Sequence, residues 1–264
     1  RSPVQRGQSL LHRPRYCSSM GAAVGVVLAA GLGTRVGADG NKAYLPLAGR
    51  SMLIWSLDTL SMLTDVARTV LVFRPGEFEL ARDTVEHELP YIPIELVEGG
   101  STRHASEFNV LQYLGADIDT GAVDVVAIHD AARPLAAPQM FQTAISVARE
   151  FGGALPALPI EGLARVGATG LESVADLGPL VRVQTPQAFR APELLRAYRS
   201  AERDGFEGTD TASCVERYTD VQTRIFPGSA ANLKVTYPAD IAVAHRLLTD
   251  RPGPADRPGP ADPR

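Results

Sequence analysis

Between residues 24 and 158, short unbroken apolar runs alternate with stretches whose apolar positions fall at helical spacing. Val24–Ala29 has the continuous apolar character of a strand buried on both faces, and a glycine-rich loop follows it. Met52–Leu63 places Met52, Leu53, Trp55, Ser56, Leu60 and Leu63 at roughly helical spacing. Thr69–Phe73, Ile94–Val97, Val123–His129 and Ala154–Leu158 predict further strands. Glu77–Glu88, Arg103–Leu114 and Pro138–Phe151 predict the helices between them, the last with proline in its first turn, where the missing N–H is harmless. This rhythm predicts an α/β fold: a Rossmann-like, mostly parallel twisted sheet with right-handed crossovers and helices on both faces. Ligands of such sheets bind beyond the carboxyl ends of the strands. The polar clusters after Ala29, Val97 and Ile128 are therefore expected to meet in one crevice.

The rhythm breaks between Pro159 and Pro186, where Gly162, Gly167, Gly170 and Gly178 punctuate weakly apolar segments. No long helix fits there, and a β-hairpin or arm projecting from the domain is predicted at about 159–186. A helix at Ala191–Asp204, a strand at Val221–Phe226, a segment at Leu233–Thr236 and a closing helix at Pro238–Leu248 complete a domain expected to span 20–250. Residues 1–19 mix Arg, Ser, Pro and Gln without the apolar core of a secretory signal. With Met20 directly ahead of Gly21, they read as a disordered extension upstream of the true start rather than a transit peptide. Arg251–Asp256 repeats at once as Arg257–Asp262, and this proline- and glycine-rich tail, 251–264, is expected to be disordered.

Charge narrows the function classes. A net charge of −4 argues against a broad nucleic-acid surface, and no apolar run approaches the length of a membrane span. Cys17 and Cys214 are too few for a disulfide framework and lack metal-ligand spacing, so a cytoplasmic setting is expected. Of the 26 basic residues only Lys42 and Lys234 are lysines, the rest being arginine. A lysine kept against that bias points to a place that needs a compact ammonium instead of a planar fork.

Both lysines fall in motifs. Leu28–Arg35 reads LAAGLGTR and runs on to Lys42. Gly31 and Gly33 beyond a strand let backbone N–H groups approach phosphate oxygens, and Arg35 and Lys42 can neutralise charge on a phosphoryl group in transit. The third glycine of a dinucleotide loop is absent, as is the Gly-Lys-Ser/Thr of a P-loop. A purely structural turn is the other reading of this loop. Gly99–Ser106 reads GGSTRHAS; Gly100 allows close approach to a flat ligand, while Arg103 and Ser106 open a helix with free N–H donors. An N-capped turn with a solvated arginine explains it equally. In His129–Pro134, HDAARP, Asp130 is suited to a ribose hydroxyl or a magnesium ion, or else to a structural pair with Arg133. His129 is expected to pack rather than act as a base. Thr209 or Asp210 caps a helix after Gly208, and on a strand Asn232 and Lys234 would share one face toward the crevice.

In this order, the runs LAAGLGTR with NKAYLPLAG, VEGGSTRHAS, HDAARP, QTPQAF, GTDTAS and NLKVTYPAD resemble the 2-C-methyl-D-erythritol 4-phosphate cytidylyltransferase family over nearly all of 21–248. The resemblance implies a Rossmann-like fold whose arm interlocks two subunits into a homodimer. It implies Mg²⁺-assisted attack of a polyol phosphate oxygen on the α-phosphorus of CTP, with release of pyrophosphate. It implies that Arg35, Lys42 and Lys234 are catalytic, and that Ala29, Ala30, Gly31, Gly33, Gly100, Arg103 and Ser106 hold the nucleotide. Asp130 would serve the ribose or the metal, and Arg133, Thr209 and Lys234 the acceptor. The sequence departs from the family's pattern at several places. Asn41 and Ala43 replace proline and glutamine around the lysine, and Glu107 replaces an apolar residue. Gly162–Leu163 and Leu177 stand where the arm carries an Asp-Thr pair and an arginine that reach the acceptor phosphate. Arg165 and Arg182 are the candidates to replace that arginine. Three functions follow: transfer to methylerythritol phosphate, transfer to another polyol phosphate such as ribitol 5-phosphate, or CTP binding without turnover.

Overall fold

The computed structural model describes residues 21–31, 40–174 and 177–250. Gly33, Arg35 and the expected disordered ends lie outside the described residues. Strand β1 (Ala22–Leu28) is followed by a 3-10 turn at Lys42–Tyr44, the short strands β2 (Pro46–Leu47) and β3 (Arg50–Ser51), and helix α1 (Met52–Ser61). Strand β4 (Val66–Phe73), helix α2 (Phe78–Glu88), strand β5 (Ile94–Glu98), helices α3 (Arg103–Tyr113) and α4 (Gly115–Asp119), strand β6 (Val123–Asp130) and helix α5 (Pro138–Phe151) continue the alternation. Strand β7 (Gly153–Pro159) leads into β8 (Ala164–Val166), β9 (Leu171–Ser173) and β10 (Val181–Val183). Strand β11 (Gln187–Arg190), helices α6 (Ala191–Asp204) and α7 (Thr211–Tyr218), strand β12 (Arg224–Pro227) and helix α8 (Pro238–Thr249) close the domain.

The central sheet runs β10-β7-β11-β6-β1-β4-β5, with β12 also paired to β7. Strands β6, β1, β4 and β5 are mutually parallel, as the strand–helix alternation requires. Successive strand side chains face opposite ways, and the core divides accordingly. Val24, Val26, Val70 and Val72 pack with helices α3, α6 and α7, whereas Val27, Leu71 and Phe73 pack with α1, α2 and α5. Fully buried leucines such as Leu57 and Leu111 each contribute roughly 1.5–3 kcal/mol of burial. No helix among the described residues is long and apolar enough to cross a membrane.

Three expectations need correction. The pattern predicts no element between the arm and the helix at Ala191, yet β11 (Gln187–Arg190) lies antiparallel between β6 and β7 in the sheet. The strand predicted at Val221–Phe226 forms only as Arg224–Pro227, parallel to β7. Leu233–Thr236 forms no strand, although Val235 N–H donates to the Ala132 carbonyl at 2.8 Å. Asn232 and Lys234 therefore do not share a strand face; Asn232 is fully buried and its amide donates to the Thr185 carbonyl at 2.9 Å. The predicted hairpin does form, with β8 and β9 antiparallel in a separate two-stranded sheet and every residue of both exposed.

Candidate active site at the carboxyl ends of the strands

The ends of β1, β5 and β6 open on one cavity of about 330 Å³, a volume in the range of small-ligand sites. Leu28 to Gly31 enter it from β1, Ser101, Thr102, Arg103 and Ser106 from beyond β5, and Asp130 to Ala132 from β6. Asn41, Lys42 and Ala43 close it from the turn after the glycine-rich loop, and Lys234 enters from the segment ahead of α8. The chain's only two lysines thus face the same space.

Asp130 is the electrostatic centre. Lys234 Nζ lies 2.7 Å from its Oδ2, Arg103 Nη2 lies 3.2 Å from its Oδ1, and Arg133 Nε lies 3.8 Å from Oδ2. Burial alone would push this carboxyl up, but Arg103, Lys234 and Arg133 together hold it well below the usual carboxylate range. Burial also opposes the charge on Arg103, and Asp130 and Glu107 more than offset that, raising its hold on the proton. Arg133 is pushed down by burial and further by Arg103 and Arg182, with Asp130 opposing. Its Nη1 donates to the Asn232 carbonyl at 2.8 Å. Among the lining residues Lys42, Arg103 and Lys234 stand against the single carboxylate Asp130, so the cavity wall is cationic in a chain of net charge −4. Such a field suits a polyphosphate.

The surroundings of Asp130 do not fit a magnesium ligand. Both carboxylate oxygens already face cations, Lys234 at Oδ2 and Arg103 at Oδ1.

Local structure holds each wall. Asn41 caps the turn that carries Lys42: its side chain accepts from Ala43 N–H at 3.0 Å and donates to the Ala29 carbonyl at 2.6 Å and to Glu77 Oε2 at 2.8 Å. The two ends of the glycine-rich loop are tied together in this way. Lys42 Nζ donates to the Val235 carbonyl at 2.9 Å. Ser106, 2% exposed, donates to the Thr102 carbonyl at 2.8 Å and accepts from Gly100 N–H at 3.0 Å. Thr102 caps α3 by accepting from Ala105 N–H. A Cβ on Gly99 would lie 2.7 Å from Ala30 Cβ and 2.8 Å from Ser106 Oγ, so only glycine lets the loops after β1 and β5 touch.

His129 lies behind the cavity, fully buried, with burial pushing it down to about 4. Its Nε2 faces the Arg133 carbonyl at 3.1 Å and its Nδ1 faces Thr185 Oγ1 at 3.0 Å. A carbonyl only accepts, so Nε2 carries the proton and Nδ1 accepts from Thr185. The ring is neutral and fully engaged. The QTPQAF run sets this frame: Thr185 Oγ1 also accepts from Asp130 N–H at 3.1 Å, and Gln187 bridges to Asp210 and Ala212 N–H.

Ala29, Ala30, Gly31, Lys42, Arg103, Ser106, Asp130 and Lys234 all line the cavity. Gly100 and Arg133 stand just behind its lining, through Ser106 and Asp130 respectively. Thr209 is exposed and outside the lining; the cap of α7 is Asp210, which accepts from Ser213 N–H. Gly33 and Arg35 lie outside the described residues. The motifs do not assign a role to Thr102 or Thr185, and they mark Asn41 only as a departure from the family's pattern. Asn41 alone had a legible signal, as a polar residue directly ahead of one of two lysines.

The model of the 2-C-methyl-D-erythritol 4-phosphate cytidylyltransferase family matches residues 23–250. The protein so named from Cereibacter sphaeroides is 37% identical over 227 residues, covering 84% of this chain and 95% of that protein. Its namesake from Solibacter usitatus is 35% identical over 240 residues, covering 86% of this chain and 96% of that protein. The crystal structure of 4-diphosphocytidyl-2C-methyl-D-erythritol synthase from Anaerococcus prevotii superposes with a TM-score of 0.72 at 25% identity, covering 87% of this chain and 96% of that one. From the matched span and these identities, the chain belongs to the 2-C-methyl-D-erythritol 4-phosphate cytidylyltransferase family.

Proposed function

We propose that the chain transfers CMP from CTP to 2-C-methyl-D-erythritol 4-phosphate, giving 4-diphosphocytidyl-2-C-methyl-D-erythritol and pyrophosphate in the non-mevalonate isoprenoid pathway. The observation that carries this reading is the meeting of both lysines with Arg103 and Asp130 in one cavity at the strand ends. The acceptor phosphate is already ionised, so no general base is needed. The neutral, buried His129 agrees with a reaction driven by positioning and charge.

In this reading Lys42 stabilises charge on the triphosphate as the α-phosphorus is attacked, and Arg35 assists it from the glycine-rich loop. Ala29 to Gly31 and Gly33 offer backbone N–H groups to the phosphates, while Gly100, Arg103 and Ser106 shape the side that takes cytidine. Asp130 orients Lys234 and Arg103 and accepts from the ribose. Magnesium enters with CTP as the counter-ion of its phosphates, which suits an ion that keeps most of its water and few protein ligands. The acceptor phosphate is met by Lys234 and Arg133; Thr209, exposed and outside the cavity lining, is the remaining acceptor-side candidate. Arg182, whose charge is felt at Arg133, is the arm arginine suited to join them; Arg165 is engaged by Glu172 at 2.9 Å. The exposed apolar residues of the arm, Val166, Leu171 and Leu177, support a homodimer formed through it. A cytoplasmic setting fits the same reading.

Incubation with CTP, Mg²⁺ and methylerythritol phosphate, followed by ³¹P NMR, tests the proposal. Two mutually coupled diphosphate resonances should grow in step with free pyrophosphate. Pyrophosphate or phosphate appearing without the coupled pair would mean hydrolysis and would refute the transfer.

A further inference from the structure

Helix α3 sets Arg103 and Glu107 one turn apart, the first lining the cavity and the second 1% exposed beneath it. Arg103 Nη1 donates to Glu107 Oε1 at 2.5 Å while its Nη2 faces Asp130 Oδ1 at 3.2 Å. The guanidinium is therefore gripped at both ends of its fork. Glu107 is itself held from two other helices: Thr211 of α7 donates to Oε1 at 2.7 Å, and the Tyr198 hydroxyl of α6 donates to Oε2. Three donors converge on this carboxyl, an arrangement that calls for the ionised form.

That arrangement is expensive for a stabilising device. Burial pushes Glu107 up, against the pull of Arg103, Tyr198 and Thr211, and buried ion pairs are often no better for stability than apolar residues of similar volume. What the carboxylate does supply is direction. An arginine side chain loses considerable rotamer freedom when it must be ordered by a ligand, and prior ordering removes that cost from binding.

We propose that Glu107 is a positioning residue for the nucleotide: it fixes the Arg103 guanidinium in its binding orientation before CTP arrives. The proposal rests on the reading of the cavity as the CTP site. Its consequence is a split effect. Loss of Glu107 weakens CTP binding through Arg103 and leaves the chemical step of the bound complex nearly intact.

A double-mutant cycle by titration calorimetry with MgCTP, backed by steady-state kinetics, tests this on the full chain. Glu107→Leu should raise the Kd and KM for CTP about tenfold, within the usual coupling of contacting charged residues, and change kcat less than about twofold. Glu107→Gln, which keeps an acceptor for Arg103 and guards against misfolding of the leucine variant, should recover most of the affinity. In an Arg103→Met background, Glu107→Leu should add less than about twofold. If Arg103→Met weakens CTP but Glu107→Leu weakens it equally in both backgrounds, or not at all, the positioning role is wrong and the CTP site stands. If Arg103→Met binds CTP as the unaltered chain does, the nucleotide reading of this wall fails and the positioning role fails with it.

Discussion

Lys42 and Lys234 show how a single residue type can be read before any fold is known. In a chain whose other 24 basic residues are arginine, two lysines in separate motifs pointed to one anion, and both line the cavity. Lys42→Met should lower kcat by about 10²–10³-fold, the usual cost of one preorganised transition-state donor, with thermal unfolding unchanged within a few degrees. Retained turnover would remove Lys42 from the mechanism. His129 carries a second prediction at this scale. Its pKa falls from 6.5 to about 4 on folding, so below about pH 6.5 the unfolded chain takes up a proton that the folded chain refuses. The contribution of neutral His129 is full above that pH and is lost as pH falls toward 4, about 3 kcal/mol in all by the linkage relation. Urea unfolding at pH 7, 6 and 5 should show the decline, and His129→Gln should flatten it; an unchanged slope would count against this assignment. The role of Glu107 was not legible in the same way. Its spacing from Arg103 reads as an ordinary helix-surface pair, and its partner Tyr198 lies 91 residues away.

At the scale of elements, the strands that alternate with long helices were readable because each is an unbroken apolar run bounded by a loop. Strand β11 was not, since four residues after a proline carry too little pattern, and only the gap between β6 and β7 defines it. Leu233–Thr236 erred the other way: its apolar residues are buried by Ala132 and α8 instead of by a ladder. The contact of the loops after β1 and β5 rests on Gly99. Gly99→Ala would drive its Cβ to 2.7 Å from Ala30 Cβ, and overpacking of this kind costs about 1–3 kcal/mol. A lower unfolding midpoint with weakened CTP binding is expected, and unaltered CTP affinity would show that the loops move independently. The α7 cap offers a cleaner case: Asp210→Ala removes the acceptor for Ser213 N–H and the partner of Gln187, and should cost about 1 kcal/mol in urea unfolding.

For the whole molecule, the sheet and its crevice were legible from pattern, and the family resemblance supplied the substrates. The arm was legible as an interruption but not as a surface. Its hairpin exposes Val166 at 82% and Leu171 at 78%, apolar area that supports pairing with a second copy. Sedimentation velocity should find a dimer, and Val166→Asp with Leu171→Asp should shift it toward monomer; an unaltered dimer would place the interface elsewhere. The arm also bears on the acceptor in the proposed reading, since Leu163 and Leu177 offer no charge to a phosphate and the charge of Arg182 is felt at Arg133. Pyrophosphate release with MgCTP, compared for methylerythritol phosphate and ribitol 5-phosphate, therefore tests the central claim most directly. Methylerythritol phosphate should give the higher kcat/KM by at least about tenfold, an ordinary discrimination for a built phosphate and hydroxyl site. Robust turnover of ribitol 5-phosphate with none of methylerythritol phosphate, or bound CTP with no release from either, would contradict it.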